Sequence, residues 1–159
     1  MTSYEIVAIV LSSVAIFATG VNILFYFRLT KEYNGLVLEQ NKIAQGQAET
    51  SIRELIMSAR RNIEKVSEKI ALSGNLEETS GKIYSQMLES AQEDLRNAYE
   101  EACSRYRDGK VDKERYKRMY YTEIRQLVED PTQNEYYNNI KSRYECTIKV
   151  YEEWFKHEN

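Results

Sequence analysis

The spacing of apolar and polar positions divides this chain into two parts of different character. From Ile6 to Phe27 no Asp, Glu, Lys, Arg or His interrupts a run of 22 residues. As an α-helix that run measures ~33 Å, enough for a hydrocarbon core of ~30 Å. Beyond it, apolar residues recur at alternating steps of four and three, the mark of one helical face. One stripe is Ile52, Ile56, Ala59, Ile63, Val66 and Ile70, and a second is Tyr84, Leu88, Ala91, Leu95, Ala98, Ala102 and Tyr106. A shorter one holds Tyr116, Met119 or Tyr120, Ile124 and Leu127 with Val128. The last holds Tyr137, Ile140, Tyr144, Ile148, Tyr151 and Phe155, with Trp154 beside them. No segment alternates with period two, so strands are not expected.

Stop signals fall between the stripes. Gly74 suits a left-handed C-cap and Asn75 the next N-cap. Asp108-Gly109-Lys110 ends the second stripe, and Asp130-Pro131 pairs a cap residue with a proline suited to a first helical turn. Gly46 lies in a polar run at residues 44–50 that reads as a hinge, and Ser51 with Glu54 fits a capping box. The expected fold is all-α: one N-terminal transmembrane helix, a coiled-coil-like stalk, and a small antiparallel helical bundle. The expected divisions are residues 1–28 as anchor, 29–50 as juxtamembrane helix and hinge, and 51–159 as cytoplasmic bundle.

A retained anchor is favoured over a cleaved leader, because the five residues before the run carry no Lys or Arg and the run ends in the bulky Leu24-Phe25-Tyr26-Phe27-Arg28. Arg28, Lys31 and Lys42 follow the run, so the positive-inside rule puts the N-terminus outside and the remainder in the cytoplasm of a cell membrane. Within and beyond the run a seam of period 3.5 joins Ala8, Ser12, Ala15, Thr19, Asn22, Tyr26, Leu29, Tyr33 and Leu36, and Ile43 extends it. Small side chains allow close helix approach, and Asn22 needs a hydrogen-bonding partner, so self-association along this seam is the preferred reading. The alternatives are an Asn22 placed at headgroup level and a pore lined by Ser12, Thr19 and Asn22.

Composition narrows the chemistry. The formal net charge is −3, with two Cys and one His. No P-loop, nucleophile–base pair or Glu-x-x-His motif occurs, and His157 lies near the C-terminus. No enzyme activity, cofactor or metal is therefore expected. Cys103 and Cys146 would stay reduced in a cytoplasm. One stretch is basic: Arg105, Arg107, Lys110, Lys113, Arg115, Lys117 and Arg118 crowd a helix end, a turn and a helix start. It suits either a solvated turn paired with acidic neighbours or an anionic, nucleotide-type ligand. Arg53, Arg60 and Arg61 form a weaker basic group. The thirteen Tyr fit helix packing edges, with a hydroxyl reaching water or a carboxylate.

The layout, an anchor followed by a short helical domain, resembles that of small bacterial membrane proteins, among them membrane-anchored components of anti-phage systems. The function this implies is a self-associating single-pass membrane protein whose cytoplasmic helices interact with a protein or sense a ligand. The alternative is an oligomeric pore-forming effector gated by an anionic nucleotide.

Overall fold

In a computed structural model the described residues are 3–73, 78–138 and 142–156, the side chains of 5–15 and of 78–79 excepted. The chain forms α1 (Ser3–Leu72), α2 (Glu78–Arg107), α3 (Lys113–Glu129), a 3-10 turn (Pro131–Gln133), α4 (Asn134–Tyr137) and α5 (Glu145–Phe155). It divides into two compact units, Met1–Ile43 and Ala44–Asn159. The backbone stays helical through residues 44–50, and Ser51 sits inside α1, where its hydroxyl accepts from Arg105 Nη1 at 3.3 Å. The capping box therefore caps nothing.

The membrane expectation is corrected. Among the described residues no helix is long and apolar enough to cross a membrane. The side chains of residues 6–15 lie outside the described residues. The single-pass topology, the bilayer as partner, the outside placement of the N-terminus, the cell-membrane location and the pore-forming alternative all rested on that span, and they fall with it. In the first unit the described apolar side chains from Ile16 on are exposed, half-buried Val37 excepted, and Arg28 pairs with Glu32 one turn on, at 3.4 Å.

The second unit buries a core. Its stripes point inward as their spacing predicts: Ile52, Ile56, Ala59 and Val66 of α1, then Ala91, Ala98 and Ala102 of α2, are all buried. On α3 it is Tyr120, not Met119, that faces in. Contacts such as Arg60–Tyr99 and Ser51–Arg105 run α1 and α2 antiparallel, and Tyr99–Glu123 does the same for α2 and α3. Alanines along α2 leave room for rings, and Tyr106, Tyr116 and Trp154 fill it. Tyr106 meets Trp154 edge-on at 5.4 Å between centroids and Tyr116 at 5.2 Å. Ring pairs of this geometry contribute ~0.5–1.5 kcal/mol beyond burial.

The joints are capped in specific ways. Gly109 takes φ 69°, and Lys110 N–H and Gly109 N–H donate to Arg105 O at 3.0 Å and Tyr106 O at 3.1 Å. This is a Schellman closure, which a glycine adopts without steric cost. Asp112 Oδ1 accepts from Arg115 N–H at 2.8 Å and caps α3. The cap expected at Gly74 and Asn75 lies outside the described residues, as does Ile140. The continuous last helix expected over 137–155 is instead interrupted. α4 ends at Tyr137, and α5 begins at Glu145 with Tyr144 as its N-cap and no side-chain cap of its own. Glu100 of α2 supplies what is missing: its carboxylate accepts from Cys146 N–H at 2.8 Å, Thr147 N–H at 2.9 Å and Thr147 Oγ1 at 2.9 Å.

Because one carboxylate satisfies several otherwise orphaned donors, Glu100→Ala is expected to destabilise the second unit by about 2 kcal/mol. The urea midpoint, followed by circular dichroism, measures this. Glu101→Ala, which loses only an exposed pairing with Arg105, serves as the control and should cost under ~0.5 kcal/mol. Equal losses in the two variants would refute the cap's importance.

Candidate functional site

Three features could carry function: the basic turn, a polar crevice in the second unit, and the exposed helix of the first. The structure places the seven basic residues of the turn as follows. Arg105 Nε bonds Glu101 at 2.8 Å, Arg107 Nη1 lies 3.6 Å from Cys146 Sγ, and Lys110 pairs with Asp108 at 3.1 Å. Lys113 lies over the Tyr106 ring at 5.1 Å, and Lys117 lies over Tyr121 and Trp154 at 5.8 and 5.9 Å. Arg115 grips Glu49 of α1 with Nε at 2.8 Å and Nη2 at 2.9 Å. Glu49 also accepts from Asp112 N–H at 3.1 Å. Arg118 is exposed. Six of the seven cations thus meet a carboxylate, ring or sulfur of the same domain. Their chemical effect is to tie the turn to α1 and α5.

The crevice, about 290 Å³, opens between α1, α2 and α3. At one end Arg60 Nη2 donates to Tyr99 Oη at 2.6 Å, and Tyr99 in turn donates to Glu123 Oε2 at 2.6 Å, which Arg60 also meets at 3.0 Å. At the other end Arg96, 2% exposed, donates to Glu89 at 2.6 Å and Gln133 at 3.1 Å. Its guanidinium stacks 3.8 Å from the Tyr136 ring centre, and its Nε finds no partner. Burial lowers Arg96's proton affinity, and hydrogen bonds and charge from Tyr144 and Glu89 more than restore it. Each cation of the crevice is therefore matched by a carboxylate, so the crevice offers no free charge for an anion.

Proton chemistry is also muted. Burial pushes the Cys103 thiol up to about 12, which leaves it protonated and unreactive at neutral pH. Burial likewise raises the phenols of Tyr99, Tyr116 and Tyr137, and raises Tyr106 to about 12. No group of three metal-ligating side chains occurs among the described residues, and His157 lies outside them.

The seam divides in the same way. The side chains of Ala8, Ser12 and Ala15 lie outside the described residues, whereas Thr19, Asn22, Tyr26, Leu29, Tyr33 and Leu36 are exposed along one helix. Sequence reasoning assigned no site role to Glu49, Arg96 or Glu100. A signal for Glu100 does exist: Tyr144-Glu145-Cys146-Thr147 starts a helix without a good N-cap residue, so a cap from another element is required. Searches against protein-family models, curated proteins and solved structures find no match to this chain.

The buried phenols and thiol make the domain sensitive to alkali, and the sign is fixed. Ordinary values are 10.0 for Tyr and 9.0 for Cys, and folding raises them. Between the ordinary and raised values the unfolded chain releases protons that the folded one retains. Stability is thus fully present below about pH 9 and declines as pH climbs toward 12. The thermal midpoint should fall progressively above about pH 9. A flat midpoint through about pH 11 would contradict this.

Proposed function

We propose that the chain is a non-enzymatic assembly protein, in which the helix of residues 16–43 joins copies of itself and the unit of residues 44–159 is the folded domain each copy displays. One observation carries this reading. Thirteen large apolar residues between Ile16 and Ile43 are exposed, while the neighbouring unit encloses a core and exposes six. Contiguous apolar surface of this extent marks an interaction site. Covering about 60 Å² on each of the thirteen would remove about 800 Å² per chain, the amount one side of a stable interface buries. At ~25 cal/mol per Å² that is about 20 kcal/mol gross, more than the ~4–15 kcal/mol that association costs.

The period of the pattern supports a second copy as occupant. Tyr26, Leu29, Tyr33, Leu36 and Ile43 alternate at steps of three and four, skipping Gln40, and Lys31, Glu32, Glu39 and Lys42 lie off that line. Such a strip is self-complementary in parallel, in-register pairing. That pairing brings Asn22 against its twin, and a polar residue in such a seam fixes register. Over Ile16 to Phe27 the apolar residues surround the whole helix, which calls for more than one neighbour at that end.

Sedimentation of the full chain tests this reading. The wild type should sediment as an oligomer at micromolar concentration, and Leu29→Glu with Leu36→Glu should weaken association at least about 100-fold. The thermal midpoint of the second unit should stay unchanged in that variant, because neither residue belongs to its core. A wild type that is monomeric at about 100 μM would refute the assembly reading.

A further inference from the structure

A second surface lies on the folded unit itself. The structure assigns to it a docking groove, between α1 and α3, for an acidic amphipathic helix of a partner protein. The floor of the groove is a cavity of about 240 Å³ walled by Ile56, Met57, Met119 and Tyr120, with Arg53 and Arg60 at its edge. Met57 and Met119 stand opposite each other on the two helices, 46% and 39% exposed, although both lie on otherwise well-packed elements. Unbranched thioether side chains adapt to an incoming apolar group, and they are favoured where a surface must accept one. The pairing of α1 with α3 is fixed below the groove by Arg115–Glu49 and above it by Arg60–Glu123.

Charge selects the occupant. Arg60 cancels Glu123 and Arg115 cancels Glu49, each within an ion pair. Arg53 is exposed, with Nη2 4.0 Å from Met119 Sδ, and exposed Arg61 donates from Nε to its own helix's Met57 O at 3.3 Å. Glu54 is the one acidic side chain within a turn of Met57 on α1. The rim is therefore net positive in a chain whose formal charge is −3, so an acidic partner is drawn to this face. A groove between two helices accepts a third, reading apolar anchors at i, i+3, i+4 and i+7. One Leu or Phe of the partner fills the cavity, and carboxylates one turn away meet Arg53 and Arg61. This surface is separate from the exposed helix of residues 16–43, so assembly and docking stand or fall independently.

The test uses the full chain with isotope-labelled methionine methyls and two synthetic helical peptides about five turns long. Both carry Leu at the anchor positions; one carries Glu at every other position and the second Lys. The Glu peptide should shift the Met57 and Met119 methyl signals and leave Met87 on α2 unmoved. The Lys peptide should not bind. Arg53→Glu with Arg61→Glu should weaken the Glu peptide at least about tenfold and admit the Lys peptide, and ~0.5 M salt should weaken the wild-type interaction. Arg53→Gln with Arg61→Gln, which keeps bulk and polarity, should weaken it by a smaller factor should the Glu variant fold poorly. Equal binding of the two peptides, shifts spread to Met87, or no shift at about 1 mM peptide would overturn the proposal.

Discussion

The folded unit depends on carboxylates that reach across from one helix to the exposed backbone N–H groups at the start of another. The first turn of any α-helix leaves four such donors without an intrahelical partner. α5 begins at Glu145, and its N-cap Tyr144 offers these donors no side-chain acceptor, yet Trp154, Phe155 and Val150 of α5 are buried in the core. Glu100 resolves this by accepting from Cys146 N–H, Thr147 N–H and the Thr147 hydroxyl. Glu49 does the same work at the start of α3, where it holds Asp112 N–H and the Arg115 guanidinium. Both glutamates are negative groups at the positive end of a helix dipole, so charge and hydrogen bonding act in the same sense. Each contact fixes the position of a whole helix.

With the helix starts held, the core is filled by rings. The stripe on α2 is Ala91, Ala98 and Ala102, too small to fill the space between helices alone. Most of the rings carry hydroxyls, and four of these hydroxyls reach carboxylates. Tyr106 donates to Glu153 at 2.7 Å, Tyr99 to Glu123 at 2.6 Å, Tyr136 to Glu89 at 2.9 Å and Tyr151 to Glu129 at 2.8 Å. Trp154 Nε1 donates to Tyr106 Oη at 3.1 Å, which places two aromatic groups in one chain ending on Glu153. A tyrosine bonded to a carboxylate packs like phenylalanine and orients like a polar residue. The tyrosines of the second unit are therefore structural, and four of its glutamates serve as their acceptors.

How much of this was legible in the sequence varied with the range of the interaction. The inward faces of α1, α2 and α3 were readable because burial follows local periodicity, as at Ile52, Ile56, Ala98 and Ile124. The Gly109 turn was readable because one residue type suits its backbone. The break between α4 and α5 was not, since Tyr137 and Tyr144 are both buried and kept the apolar period running across it. Glu100 and Glu101 are adjacent and chemically identical, yet one caps a distant helix and the other pairs with Arg105 on its own surface. Only the tertiary arrangement separates them. The basic turn illustrates the same limit: a net positive stretch in sequence became a set of local contacts once Glu49, Glu101 and the Tyr106 ring were brought beside it.

The two units also show how differently one periodicity can be used. In residues 52–72 a stripe with steps of four and three is covered by α2 and α3, so its side chains meet partners within the same chain. In residues 26–43, which hold a stripe of similar period, every side chain is exposed but Thr30 and Val37, which are half-buried. Periodicity states that a face is apolar; it does not say what covers the face. The long span expected over residues 6–27 shows the converse, since an apolar run alone was taken to name its own solvent. What separates the two uses is the polar pattern beside the stripe. Around Ile52 and Ile56 it includes Glu49, Arg60 and Ser51, each with a counterpart on α2 or α3. Near Leu29 the ion pair is Arg28 with Glu32, one turn along the same helix. An apolar face that its own chain leaves uncovered is the kind of surface on which contacts with another molecule form.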